Sequence, residues 1–250
     1  MEKTLGVGLA AWLLLVVLPG GHAGEPSGAR ALVDRAIRAT GGEAKLERFR
    51  AATWKARGAR HEMNRTVTFT GEFAAQMPDR TRAAVEGEAN GQAFKMVFVL
   101  KGDQGWLQVN GNTSELTEEQ LAEEKEDLYA ENLTQLVPLK GPGMRLTLLN
   151  EMPVNGRDAV GLQASRKNHR DLQLYFDKQS GLLVKKARTV KGLAGKDVTE
   201  ETFYTGYKEF AGLQIPTRVT ITRNGKPFAE TETSDYQLAE KLDDSLFEKP

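Results

Sequence analysis

Residues 66–77 read TVTFTGEFAAQM, and their alternation decides the fold. Val67, Phe69, Gly71, Phe73, Ala75 and Met77 fall on one side; Thr66, Thr68, Thr70, Glu72, Ala74 and Gln76 fall on the other. A period of two with one apolar side is the pattern of a half-buried strand. Pro78-Asp79 turns this strand into the next, Arg80–Glu88, and Asn90-Gly91 turns that one into Gln92–Lys101. There Phe94, Met96, Phe98 and Leu100 again share a side. Asn-Gly recurs at Asn110, Asn155 and Asn224. Each pair supplies two residues tolerant of positive φ, as a type I′ hairpin requires, so an antiparallel meander is expected.

Working outward, a strand is expected near Thr53–Arg60 and another at Trp106–Val109. Further strands follow at Arg145–Leu149, Ala159–Arg166, Asp171–Asp177, Leu182–Val190, Val198–Phe210, Leu213–Arg223 and Pro227–Leu238. Three helices break the series. Ala29, Leu32, Val33, Ala36 and Ile37 recur at helical spacing, with Ser27 as the expected N-cap and Gly41-Gly42 as the stop. A short helix follows at Glu43–Phe49. Thr117-Glu118-Glu119-Gln120 has the form of a capping box and opens a helix from Glu118 to Val137. The sum, about eleven strands and three helices, predicts a mainly β chain with a few helices (α+β). Its form is a large curved antiparallel sheet with helices on the concave side.

The N-terminus has the form of an export signal. One basic residue precedes an apolar run from Leu5 to Leu18, and Gly21 and Ala23 supply small residues for cleavage after Ala23. The run is shorter than the ~20 residues that span a bilayer. Residues 1–23 are therefore read as a signal peptide and 24–250 as a single domain in the periplasm or outside the cell. With no cysteine there is no lipid-bearing thiol, disulfide or thiolate metal site. Lys plus Arg and Asp plus Glu both number 34, a balance that gives no basic surface for nucleic acid.

Chemistry-bearing motifs are scarce. Beyond the signal there are two histidines, His61 and His169, each in a polar, charged setting. His61-Glu62 lacks the second histidine of a zinc-hydrolase helix, and no Gly-x-Ser-x-Gly or phosphate loop is present. Acidic pairs such as Glu123-Glu124, Glu200-Glu201 and Asp243-Asp244 would allow a hydrolase working with two carboxylates. Solvated helix faces and strand ends account for them more simply. No catalytic residue, cofactor or metal is assigned.

Two regions carry a resemblance. QMPDRTRAAVEG (residues 76–87) is followed by LKGDQGWLQVNG (residues 100–111). The C-terminal block runs from LQLYFDKQSGLLVKK through GYKEFAGLQIPTRVTITRNGKPF to YQLAEKLDDSLFEKP. In order and spacing these resemble the lipoprotein-localisation factor superfamily (LolA/LolB-like) and its outer-membrane lipoprotein-sorting relatives. Trp106 follows Asp103 at a slightly different spacing from that family's pattern. The resemblance implies a half-open β-barrel with helices at its mouth and an interior that accepts acyl chains. It also implies an arginine near the rim that holds the lid, at Arg80 or Arg82.

The residues themselves point the same way. Val67, Phe69, Phe73, Met77, Phe94, Met96, Phe98 and Leu100 form a stripe large enough to line a cavity, and methionine adapts to varied shapes. The same stripe could instead be filled by the helices. Leu121 and Leu128 begin the apolar stripe of the third helix, which also carries Glu118, Glu119, Glu123, Glu124, Glu126, Asp127 and Glu131. That helix reads as a self-repelling lid with Gly141-Pro142-Gly143 as a hinge. The expected function is non-enzymatic binding of a lipid or acylated protein, for lipoprotein sorting or lipid transport. The expected state is a monomer, with an inner- or outer-membrane protein as a further partner. The alternatives are an envelope sensor on the same fold and, less favoured, the two-carboxylate hydrolase.

Overall fold

A computed structural model describes residues 26–250 apart from 63, 64, 90, 193 and 194. The signal segment and one residue of the Asn90-Gly91 turn lie outside the described residues. Six strands form the first meander: β1 (Ala51–Glu62), β2 (Arg65–Gln76), β3 (Arg80–Ala89), β4 (Gln92–Lys101), β5 (Gln104–Val109) and β6 (Asn112–Glu115). Five form the second: β7 (Arg145–Val154), β8 (Arg157–Ser165), β9 (Leu172–Asp177), β10 (Leu183–Lys191) and β11 (Asp197–Thr205). A small separate hairpin, β12 (Lys208–Phe210) and β13 (Leu213–Ile215), precedes β14 (Arg218–Arg223) and β15 (Lys226–Ala239).

The β14–β15 hairpin joins the two meanders. It sits between β11 and β1 in a thirteen-stranded antiparallel sheet of order β6-β5-β4-β3-β2-β1-β15-β14-β11-β10-β9-β8-β7. The sheet is curved and does not close, so it forms half of a barrel. Its turns follow the expected chemistry. Asn110, Asn155 and Asn224 take φ of 50°, 49° and 48°, each followed by a glycine at positive φ.

The differences from the sequence reading are local. Val198–Phe210 divides into β11 and β12 at Gly206 (φ 66°), and Leu213–Arg223 divides at Pro216, which cannot donate to a ladder. β6 is an additional four-residue strand, too short to show periodicity. Helix α1 spans Pro26–Thr40, so Ser27 lies inside it, and proline takes the first helical position. After α2 (Glu43–Arg48), the acidic helix α3 runs Glu118–Thr134. Its capping box is formed: Thr117 Oγ1 accepts from the Gln120 N–H at 3.3 Å, and Gln120 Oε1 accepts from the Thr117 N–H at 2.9 Å. The helix stops three residues early and continues as a 3-10 turn at Val137–Lys140.

Helices α1 and α3 lie on the concave face over the second meander. Val33, Ala36, Leu133, Leu136, Leu139, Leu162, Leu174 and Phe176 are all buried there in one cluster. On the convex face of the first meander the C-terminal tail does the covering. Phe247 is fully buried against Ala74, Val99 and Trp106.

Candidate functional site

The concave face of the first meander, together with β14–β15, carries an open groove. Register places its lining in rows across the strands. One row runs Val219–Thr231–Gly58–Phe69–Gly87–Phe94 and lines a space of about 1220 Å³. The adjacent row, Thr233–Ala56–Gly71–Val85–Met96, lines a further 770 Å³ with Lys208 at its side. Beyond it four rings lie in a row, Phe73, Trp54 and Tyr236 stacked and Phe210 tilted against Tyr236, with centroids 5.5, 5.7 and 5.4 Å apart. These rings form the apolar end of the groove.

Glycine sets the depth. A Cβ at Gly58 would lie 2.8 Å from the Phe69 ring, and one at Gly87 would lie 3.0 Å from the Phe94 ring. Each ring therefore lies over the bare backbone of its cross-strand neighbour. Bulk at either position would lift a ring into the groove or displace a strand. The rings give the floor apolar area without filling the space above it.

The expected lining residues separate accordingly. Phe69, Phe94 and Met96 line the groove, and Phe73 belongs to the stacked end row. Val67 lies one row beyond Phe69, opposite Arg60, and Phe98 is half-buried between Ala83 and Leu107. Leu100 is buried, and Met77 lies just past the end of β2. Leu121 packs with Leu116 above Gly105 at the β5 edge, and Leu128 is buried on α3. Trp54, Val85, Val219 and Tyr236 were not singled out. Trp54 lies in the alternation Ala52, Trp54, Ala56, Gly58 of β1, which is as readable as that of β2.

Arg80 and Arg82 are on the convex side. Arg80 donates to Asp244 of the tail at 2.7 Å, and Arg82 lines a small recess with Thr53, Gln237 and Leu246. Arg80 thus clamps the tail, whereas α3 is held by other cations. Glu123 takes both terminal nitrogens of Arg170, one at 2.8 Å. Glu126 accepts from the Arg170 N–H at 2.7 Å and faces His169 Nδ1 at 2.8 Å, while the His169 ring stacks on Tyr129 at 3.5 Å. Asp127 accepts from Arg188 at 2.7 Å, and Glu131 pairs with the buried Lys186.

Lys125 reaches the other way, to Asp103 in the β4–β5 turn. Helix α3 is therefore tied to both meanders. The self-repulsion expected from its charges is corrected: Glu123, Asp127 and Glu131 pair with cations of the second meander, and Glu126 is met by His169 and the Arg170 N–H. The far end is anchored too, because Lys140 pairs with Asp34 at 3.3 Å and with Glu43 at 2.9 Å.

The electrostatics follow. Arg170 holds the Glu123 carboxyl below the usual carboxylate range. Burial alone would raise Glu200, but Arg188 and Arg223 outweigh it and hold it low. Burial, with Asp127 adding to it, pushes Glu124 up to about 7. None of these groups lines the groove, whose rows set Thr231 and Thr233 among glycine, aliphatic and aromatic residues. Among the described residues no group of three or more metal-ligating side chains occurs, and no helix is long and apolar enough to cross a membrane.

No family model matches the chain, and no curated protein matches its sequence. Solved structures do. A LolA superfamily protein from Nitrosomonas europaea aligns over 88% of this chain and 97% of that one, at 13% identity and TM-score 0.58. A DUF1329 family protein from Desulfovibrio piger aligns over 90% and 98%, at 14% identity and TM-score 0.60. A domain from Vibrio parahaemolyticus ascribed to outer membrane lipoprotein sorting aligns over 90% and 98%, at 13% identity and TM-score 0.55. At such identities the likeness is one of fold, and the fold of this chain is LolA-like.

Proposed function

We propose that the protein is a non-enzymatic carrier that holds the acyl part of a lipid or lipid-modified protein in the concave groove. The observation that carries this reading is the open row Phe69–Gly87–Phe94 beside Met96, an apolar floor that no helix covers. Burial is worth ~0.8 kcal/mol per CH₂, so a dozen methylenes would contribute roughly 10 kcal/mol before the cost of ordering the chain. Helix α3, tied to both meanders, would keep the half-barrel in shape while ligand enters beside it. Cleavage after Ala23 and release of residues 24–250 as one monomeric domain would place the carrier in the periplasm, where it would meet a membrane protein that supplies or accepts the ligand. The likeness in fold to a domain ascribed to lipoprotein sorting supports this reading. Native mass spectrometry of protein purified from its own envelope tests it: co-purifying acylated species are expected, and protein that is always empty and takes up no acyl probe overturns it.

A further inference from the structure

The open rows of the concave face end at a wall, and a break in register builds it. Between Lys55–Ser234 and Thr53–Gln237 strand β15 carries one more residue than β1, and Asp235 takes φ of 51°. Strict alternation from Thr231 and Thr233 would carry Asp235 and Gln237 onto the concave face and Tyr236 onto the other. The bulge reverses this, as bulges re-aim side chains. Tyr236 stacks on Trp54, and Trp54 on Phe73, 9° from parallel. Rings stacked face to face on neighbouring strands stand up from the sheet, whereas Phe69 and Phe94 lie over glycine and stay low. Phe210 tilts against Tyr236 from the β12–β13 hairpin, whose tip is held by Lys45, a donor to the Gly212 carbonyl at 3.3 Å.

Behind the rings the face is closed. Ala52 and Leu100, one row further on, are 6% and 1% exposed. Leu238, opposite Ala52, packs against the helix-covered core, and Leu116 and Leu121 sit over Gly105, opposite Leu100. At the far end, the row beyond Phe69 sets Arg60 opposite Val67, so a charge borders the apolar floor there. The charged residues that alternate with the floor belong to the other face, where Arg57 pairs with Glu232 and Lys95 with Glu86. Lys208, beside the Met96 row, is exposed to solvent. The uncharged floor therefore has a length. Phe69 and Phe73 are four residues apart on β2, about 14 Å in a strand. An extended alkyl chain advances about 1.25 Å per carbon, so roughly 11 carbons cover that distance. We infer that the row of Phe73, Trp54 and Tyr236 is the stop of the groove and sets the alkyl length it takes, at about ten to twelve carbons. Carbons beyond that number stay in water past Phe69. This rests on the carrier reading, but the stop can fail by itself.

The test is displacement of the dye 1-N-phenylnaphthylamine by octyl, decyl, dodecyl and tetradecyl maltoside, each below its micelle concentration. Affinity is expected to rise about tenfold from octyl to decyl, as burial of two methylenes allows, and less than about threefold from dodecyl to tetradecyl. Trp54→Ala opens the wall at its centre and should restore a step of about tenfold from dodecyl to tetradecyl while leaving octyl maltoside unchanged. Trp54→Leu should do the same in part. Phe210→Ala, outside the large sheet, carries the same test where the Trp54 variants fail to fold. Affinity that climbs evenly through tetradecyl in the parent protein overturns the stop and leaves the groove standing. A parent break that stays at the same length in every folded variant overturns its assignment to the rings. If no maltoside displaces the dye, the groove reading falls together with the stop.

Discussion

The two halves of the concave face differ although both come from the same alternating strands. Over β7–β11, α1 and α3 press onto Leu162, Leu172 and Leu174, which are almost wholly buried. Over the groove rows of β1–β4 no helix residue contributes to the lining, and Phe69, Phe94 and Met96 remain half-exposed. The covered half packs leucine against leucine, as interiors do. The open half sets phenylalanine over glycine, at Gly58, Gly71 and Gly87, so that apolar area is retained without bulk. One half of the face is spent on stability, and the other is left free for a ligand.

The comparison can be broken first at the charges that hold α3. Arg188→Met leaves Asp127 and Glu200 without their shared cation. A broken buried pair costs about 3–5 kcal/mol, so urea unfolding should show a loss of that size. A loss below about 1 kcal/mol would mean that the second meander holds together without the α3 ion pairs.

A core truncation in the covered half comes next. Leu174→Ala should cost about 2–5 kcal/mol, whereas Met96→Ala in the open half should cost under about 1 kcal/mol, because no close-packed partner is lost there. Equal losses would show that the two halves are packed alike.

Ligand capacity should follow the opposite pattern. Phe94→Asp is expected to weaken uptake of a fluorescent acyl probe by about 100-fold, which is ~2.7 kcal/mol, with little change in stability. Thr68→Asp, on the other face of β2, should spare binding. If Phe94→Asp unfolds the protein as Leu174→Ala would, the open half is core and not a groove.

The smallest effect concerns pH. Burial raises the Glu124 carboxyl to about 7 in the folded protein, with Asp127 and Glu123 adding to the shift and Arg188 opposing it. A raised folded value means that the group favours the fold fully below its ordinary value near 4.5, and that this contribution is lost as pH rises through about 7. Glu124→Gln should therefore raise the melting temperature by a few degrees at pH 8, about 1–2 kcal/mol, and change it little near pH 4.5. A gain of the same size at both pH values would locate the effect in packing.

Much of this protein is legible in its residues alone. The alternation of Thr66–Met77 and Gln92–Lys101, the Asn-Gly turns at Asn110, Asn155 and Asn224 and the Thr117 capping box all work over two to four residues, and the structure forms them where the chain states them. The antiparallel sheet and its concave helices follow from those local rules. What tertiary structure decided was coverage. The tail that buries Val99 and Trp106, the β14–β15 hairpin between the meanders and the Glu131–Lys186 pair join segments distant in the chain. No local period encodes such partners, so the acidic face of α3 reads as solvated until Arg170, Lys186 and Arg188 are placed beneath it. Which half of the sheet stays open is settled by where two helices dock, and that docking rests on contacts between residues far apart in sequence.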